Sequence, residues 1–426
     1  MRNKQPALIF ILITIFIDSI GFGIVIPVFP DLIMSMENCD ISRASEINGW
    51  LMACFAAMQF VFSPILGSLS DRFGRRPVLL LSLFGFALDY FLLAFAPSVG
   101  WLFLGRIIAG IMGASHSTAM AYIADISTEK DKSKNFGLIG AAFGLGFIIG
   151  PGLGGLLFEY GMRVPFIACA GLSMINWLYG YFILPESLKK ENMRKFNRKA
   201  LIPGRALVNM FKYKRIAPMM LCFFLLYLAA TAVMVNWQFY TKLKFNWDEK
   251  AIGLSISIVG ILVAIVQGLV VRKVNPAIGE RNAILTGLFL YTIGMIAFGL
   301  APTGTFMLLA MLPYCLGGIN GPAMQSVITG SVPPNVQGEL QGTIVSVQSL
   351  TSILGPIMMP AIFAYYTTEG HPYFPGAPFI AGAILIFIAL IIAYFAFKTP
   401  SRPGSRRTES VLDDGFEVNP LVVHNE

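Results

Sequence analysis

The chain has 426 residues, of which 56% are hydrophobic and only 13% charged, and its mean hydropathy is +0.70. These values exclude an ordinary water-soluble globular domain and describe a polytopic membrane protein, so a lipid bilayer is the first expected partner. The net charge of +8 is not gathered into a basic folded surface with matching motifs, so nucleic acid is not expected as a partner.

Windows of about 20 apolar residues, enough to cross a ~30 Å hydrocarbon core, predict twelve helical spans: 7–29, 47–68, 77–96, 100–124, 136–157, 164–184, 216–240, 251–271, 283–301, 305–329, 340–366 and 376–397. The runs are continuously apolar, not alternating, so each satisfies its backbone as a helix and a barrel is excluded. The first run follows Arg2 and Lys4 like a signal peptide. It is too long for one, carries Asp18 in its middle and lacks a small-residue cleavage site, so it reads as a retained span. Arg43, Arg163, Lys242, Lys244, Lys250 and the intramembrane Arg106 are the only basic residues away from one set of alternate connections and the termini. That asymmetry predicts both termini in the cytoplasm.

Taken in chain order, the spans carry few ionisable groups, and each such group is costly in lipid and a functional candidate by default. Asp18 has no evident cationic partner in sequence. It serves either as a hydrogen-bonded packing residue or as part of a substrate cavity or proton path. Gln59 adds a polar group to the second span. The stretch "GSLSDRFGRRP", Gly67 to Pro77, then crowds Asp71, Arg72, Arg75 and Arg76 between two apolar runs. Its arginines orient the chain, while Gly67 is expected to allow close helix approach and Gly74 to supply a positive φ. Asp71 is expected to accept from helix-end N–H groups, where the macrodipole favours an anion. Asp89 and Arg106 lie at matching depth, each about 10 Å from the same end of its span at 1.5 Å per residue, so they can pair. The pair is either a static way of burying charge or a carboxylate whose proton affinity rises when the arginine leaves. His116, further along the fourth span, is either a satisfied core residue or a proton carrier. The fifth span holds Gly137, Gly146, Gly150, Pro151, Gly154 and Gly155, small residues that permit backbone contact between membrane helices. In the second half the polar candidates are amides, Gln267 among them, with no titratable group deep within a span.

The basic segment Pro185 to Arg215 divides the chain into an N-terminal half (1–184), a linker (185–215), a C-terminal half (216–398) and a polar tail (399–426) expected to be disordered. A shift of 205 residues lays Gly113 on Gly318 and Gly137, Gly150 and Pro151 on Gly342, Gly355 and Pro356. Two parallel six-helix halves follow, the arrangement of transporters whose midplane site lies between halves that rock. Four of the five cysteines fall within spans, and no spacing suggests a metal, a cofactor, a nucleotide-binding loop or a catalytic constellation, so no enzyme is expected.

Taken together, "GSLSDRFGRRP", "GRIIAGIMGAS" (Gly105 to Ser115), the fifth-span glycine pattern, "FIDSIGFGIVIPVFP" and "VQGELQGTIVSV" resemble the major facilitator superfamily, and within it the tetracycline-exporter group of drug and proton antiporters. The resemblance runs over residues 8–398. It implies an all-α major facilitator fold of twelve transmembrane helices in two pseudo-symmetric six-helix halves. It also implies proton-coupled efflux of a drug-like molecule, such as a tetracycline-type compound, by alternating access, in a bacterial inner membrane. Its partners would be a small organic substrate and protons, and a chain of this size can act as a monomer. The resemblance makes the Gly67–Pro77 loop a latch between the halves in the outward-facing state, with Asp71 and Arg75 as gating residues. It also implies that the fifth span packs against its counterpart in the other half and closes the outer side. The chain departs from the exporter group in the second half: where that group has a histidine in the eighth span and an aspartate in the ninth, Tyr291 stands near the latter place. Proton coupling would then run through Asp18, Asp89, Arg106 and the first half. The alternatives are a symporter or facilitator for a metabolite, and a receptor or scaffold with a transporter fold.

Overall fold

The computed structural model describes residues 4–113, 115–128, 131–188, 191, 193, 217–332 and 337–398, with side chains at all of these but 4–6, 115, 116, 132, 133, 338 and 339. The tail expected over 399–426 and most of the linker expected over 185–215 lie outside the described residues. The helices are α1 (Lys4–Val25), α2 (Phe29–Glu37), α3 (Ile41–Phe73), α4 (Arg75–Phe95), α5 (Val99–Met112), α6 (Ser115–Ile126), α7 (Lys132–Phe158) and α8 (Val164–Ile183) in the first half. The second half has α9 (Ala217–Phe245), α10 (Glu249–Ile265), α11 (Val271–Leu300), α12 (Gly304–Gly317), α13 (Asn320–Gly330), α14 (Gln337–Tyr365) and α15 (Ala377–Lys398). No strand occurs among the described residues.

Among the described residues, eleven helical stretches are long and apolar enough to cross a bilayer, but one of them, Glu249–Leu300, has 52 residues, more than twice the necessary length. Gly279 interrupts it with φ 77° and ψ 159° and turns the chain from the eighth pass into the ninth, so twelve spans are present. Gly74, 205 residues earlier, makes the matching turn between α3 and α4 with φ 104° and ψ 160°. Such backbone is open to glycine and strained for other residues.

The fourth and tenth spans are each broken at mid-length, by Gly113 between α5 and α6 and by Gly318 between α12 and α13. The N–H of Gly113 donates to Gly110 at 3.2 Å and that of Gly318 to Cys315 at 2.9 Å, a tightened i→i−3 turn that interrupts the α ladder. Clustered glycine lowers helix propensity at both places. The second and eighth spans start alike: Asn38 (φ 47°) and Asn246 (φ 52°) each precede by two residues an aspartate that caps the next helix. Asp40 accepts from the Arg43 N–H at 3.0 Å and Asp248 from the Ala251 N–H at 2.7 Å. Helix α1 stops at Val25, short of the expected 29, and α2 is an additional short helix; α3 outruns its expected 47–68 at both ends because nothing breaks it between the Asp40 cap and Gly74.

Two rows of small residues on α7 do different work. A methyl group added at Gly146 or Gly150 would lie 2.6 Å from the carbonyl oxygen of Phe16 or Ile20, and one at Gly154 would overlap that of Ile24. This i, i+4 row lets α7 lie on α1 within the first half. The other face carries Pro151, Gly152 and Gly155 and meets α10 of the second half: a methyl at Gly155 would overlap the Glu249 carbonyl, and one at Gly253 the Pro151 carbonyl. The expected packing of this span against its own repeat counterpart is therefore corrected. That counterpart, α14, packs on α3 instead, where a methyl at Gly49 would overlap the Pro356 carbonyl.

The face carrying the Gly67–Pro77 loop is the loop face, and the opposite one the far face. Among the described residues, polar contacts cross the seam between halves at the far face: Ser42–Thr367 at 2.7 Å, Ser45–Asn236 at 3.3 Å, Lys242–Asp31 at 2.7 Å and Lys250–Glu159 at 2.8 Å. Toward the loop face, methyl groups at Gly67, Gly137, Gly140, Gly144, Gly268 and Gly342 would meet nothing within 4 Å. The close approach expected at Gly67 and Gly137 is thus not made here. The halves touch along the far part of the seam and part toward the loop face.

Candidate functional site

Asp89 of α4 and Arg106 of α5 form a fully buried ion pair, Arg106 Nη2 donating to Asp89 Oδ2. The depths read from sequence bring them together as expected. Gly105 makes the room: a methyl there would stand 2.7 Å from Asp89 Oδ1. The pair is joined through one oxygen and one nitrogen, and Asp89 Oδ1 and Arg106 Nε have no hydrogen-bond partner among the described residues. A carboxylate held this way keeps an oxygen on which a proton can sit, while a bidentate pair would not. The Arg106 guanidinium also lies 5.8 Å from the centre of the Phe55 ring, which contributes to its attraction in a dry setting.

Asp18 is half-buried on α1. It lies about 200° round the helix from both Phe16 and Ile20, the residues that contact α7, and so is turned away from that interface. Tyr90 links the neighbourhoods: it follows Asp89 on α4, is buried, and a methyl at Gly21, one turn beyond Asp18, would lie 2.6 Å from its hydroxyl. The side chain of His116 lies outside the described residues.

Gln59 and Gln267 occupy equivalent places at the two breaks. Gln59 Nε2 donates to the Gly113 carbonyl at 3.1 Å, and Gln267 Nε2 donates to the Gly318 carbonyl at 3.3 Å. Two further amides secure the second break, Asn275 to the Ile319 carbonyl at 3.0 Å and Asn320 to the Gly317 carbonyl at 2.8 Å. Carbonyls released at a mid-membrane break need such partners, because lipid supplies none. Beside this break the Tyr291 and Tyr314 hydroxyls are bonded at 2.9 Å.

The loop is fastened to the first half and to the start of the linker. Arg75 holds Asp71 at 2.5 Å, Ser70 Oγ at 2.6 Å and Asp125 of α6 at 3.2 Å. Asp71, expected to cap helix-end N–H groups, is instead occupied by the Arg75 side chain one turn on. The exposed N–H groups of Arg75 and Arg76 donate to Glu186 at 2.8 and 3.1 Å, so the anion at the start of α4 comes from beyond α8. Arg76 also donates to the Tyr181 carbonyl at 2.7 Å, and Arg72 lies over the Phe73 ring at 5.0 Å. These contacts of Asp71, Arg72, Arg75 and Arg76 involve the first half and, through Glu186, the start of the linker.

The family model described as Major Facilitator Superfamily matches residues 11–278 and 219–416. The chain belongs to the Major Facilitator Superfamily. Tetracycline resistance protein class C of Escherichia coli is 39% identical over 392 residues, covering 91% of this chain and 96% of that protein. Class H of Pasteurella multocida is 34% identical over 392 residues, covering 92% and 96%. Among solved structures, the nucleoside transporter NupG superposes with a TM-score of 0.74 at 17% identity over 94% of this chain and all of that one, a likeness of fold alone. Within this superfamily fold, the reading of single residues missed Tyr90, Asp125, Glu186 and the partnership of Tyr291 with Tyr314. Tyr90, Asp125 and Glu186 each meet residues 50 or more positions away, and Tyr291 and Tyr314 meet across two consecutive spans. Of these, Glu186, an acid at the head of a basic segment, offers a signal that sequence inspection can find.

Proposed function

We propose that this chain is a proton-coupled exporter of an amphipathic, drug-like organic molecule, of the tetracycline type named in its relatives, working by alternating access as a monomer in a bacterial inner membrane. The distribution of basic residues puts both termini and the loop face in the cytoplasm and the far face outside. The observation that carries the reading is the one-sided seam: contact at the far face and bare glycines toward the loop face make one end state of two halves that rock.

In this state the cavity opens to the cytoplasm and admits substrate beside the broken spans, with Gln59 and Gln267 holding the breaks. Asp18 and Asp89 carry the proton, and Arg106 favours the ionised form of Asp89 until a conformational change or a proton displaces it. When the halves rock, the glycine rows of Gly152, Gly155 and Gly253 part, and the Gly67–Pro77 loop meets the second half, with Asp71 and Arg75 as the latch. Expression in a susceptible host tests the proposal. The chain raises tolerance to tetracyclines or to amphipathic dyes, and Asp18→Asn removes that tolerance at equal membrane abundance. Tolerance that survives Asp18→Asn argues against a proton path through Asp18.

A further inference from the structure

A second ionic cluster lies well away from Asp18 and Asp89, at the far edge of the seam. Lys242, near the end of α9, is 2.7 Å from Asp31 of α2 and 2.5 Å from Glu249 at the start of α10. Lys242 and Glu249 belong to one hairpin of the second half, while Asp31 belongs to the first. Two carboxylates around a single ammonium leave one negative charge uncompensated in a largely buried place. We propose that Asp31 is a second proton-binding site, one that takes up a proton as the far face closes and gives it back as that face opens.

The other charges near α2 are committed elsewhere. On α3, which packs on α2, Arg43 pairs with Glu46 at 2.7 Å; on α5, Arg106 pairs with Asp89. On α9, Lys244 bonds the Tyr240 hydroxyl at 3.1 Å, while on α10, Lys250 pairs with Glu159 at 2.8 Å and Asp248 caps the helix. Glu37 stands at the opposite end of α2. Among the described residues, Asp31 is thus left with Lys242 and Glu249. Burial first, and then the Glu249 carboxyl beside it, push Asp31 from 3.8 up to about 6 against the pull of Lys242.

When the halves part, Asp31 leaves with the first half and returns to water, while Lys242 and Glu249 remain a neutral pair. The sign follows: the sealed state binds the proton more tightly, so acid on the far side favours the seal. Between pH values above 6 and below 4 the sealed-to-open ratio rises on the order of 100-fold. The proton enters and leaves on the same side, so the site biases conformation and adds nothing to the coupling ratio. This rests on the alternating-access reading above, but not on which substrate is carried.

The test uses the full chain in lipid nanodiscs, with its five natural cysteines replaced and spin labels at Glu37→Cys and Tyr373→Cys, on the far face of opposite halves. Distance distributions are measured from pH 4.5 to 8. The short-distance population is expected to grow as the pH falls below about 6. Asp31→Asn removes that step, and Glu249→Gln moves it to lower pH. A distribution indifferent to pH, or a step that survives Asp31→Asn unchanged, overturns the proposal; if Asp31→Asn does not fold, the Glu249→Gln shift decides. No substrate is present, so a failure here leaves the export reading standing, and a failure of drug transport leaves this result standing.

Discussion

Gly253→Ala perturbs the seam between halves and little else. The added methyl would overlap the Pro151 carbonyl oxygen and lie 2.9 Å from its carbon and 3.4 Å from the Gly152 nitrogen, all backbone atoms of α7 that cannot swing aside. Overpacking of this kind costs about 1–3 kcal/mol. The clash exists only while α7 and α10 touch, so the cost falls on the state sealed at the far face and vanishes when the halves part there. At ~1.4 kcal/mol per factor of ten, the open-to-sealed ratio rises by about 5- to 150-fold. Gly150→Ala is the control: its methyl would lie 2.6 Å from the Ile20 carbonyl, inside the first half, and it penalises both states alike. Spin-label distances across the far face report the populations, and thermal unfolding reports stability. Gly253→Ala is expected to lengthen the distances, and Gly150→Ala to lower Tm without lengthening them. Equal distances in Gly253→Ala and the parent would refute the claim that this seam is the moving one.

Removing one member of the buried Asp89–Arg106 pair leaves an uncompensated charge. Arg106→Gln is expected to cost about 3–5 kcal/mol, and the double variant with Asp89→Asn to recover part of it, read as Tm in a double-mutant cycle; additive losses would contradict a coupled pair. Gln59→Leu and Gln267→Leu each remove one hydrogen bond at a helix break, about 0.5–1.5 kcal/mol, and are expected to raise the KM for transport more than they lower Tm. The reverse order would make the glutamines structural only. Glu186→Ala removes the anion that caps α4 and is expected to cost about 1 kcal/mol, seen as a lower Tm with the spin-label distances unchanged.

The twelve passes were readable because each is a run of apolar residues long enough to span lipid, even where Glu249–Leu300 is helical almost throughout and only Gly279 marks the turn. Asp89 and Arg106 were readable because adjacent spans joined by a short turn fix relative depth. The repeat was only half readable. A shift of 205 aligns Gly74 with Gly279 and Gly113 with Gly318, but Asn38 with Asn246 and Gln59 with Gln267 follow at 208. A single register therefore separates the two glutamines that do the same job. What stayed hidden depends on distance along the chain: Glu186 reaches Arg75 across 111 residues, and Lys242 reaches Asp31 across 211. The two-faced use of α7 was hidden for another reason. Glycine spacing shows that helices approach closely, while which neighbour lies on each face depends on the tertiary arrangement.

The central claim is that an inward flow of protons drives substrate out of the cytoplasm. Inverted membrane vesicles containing the full chain, energised to acidify their interior, test it most directly when uptake of a labelled tetracycline is followed before and after a protonophore is added. Proton-coupled export predicts accumulation that collapses with the proton gradient and is absent in Asp18→Asn vesicles. Accumulation that is indifferent to the protonophore would contradict it.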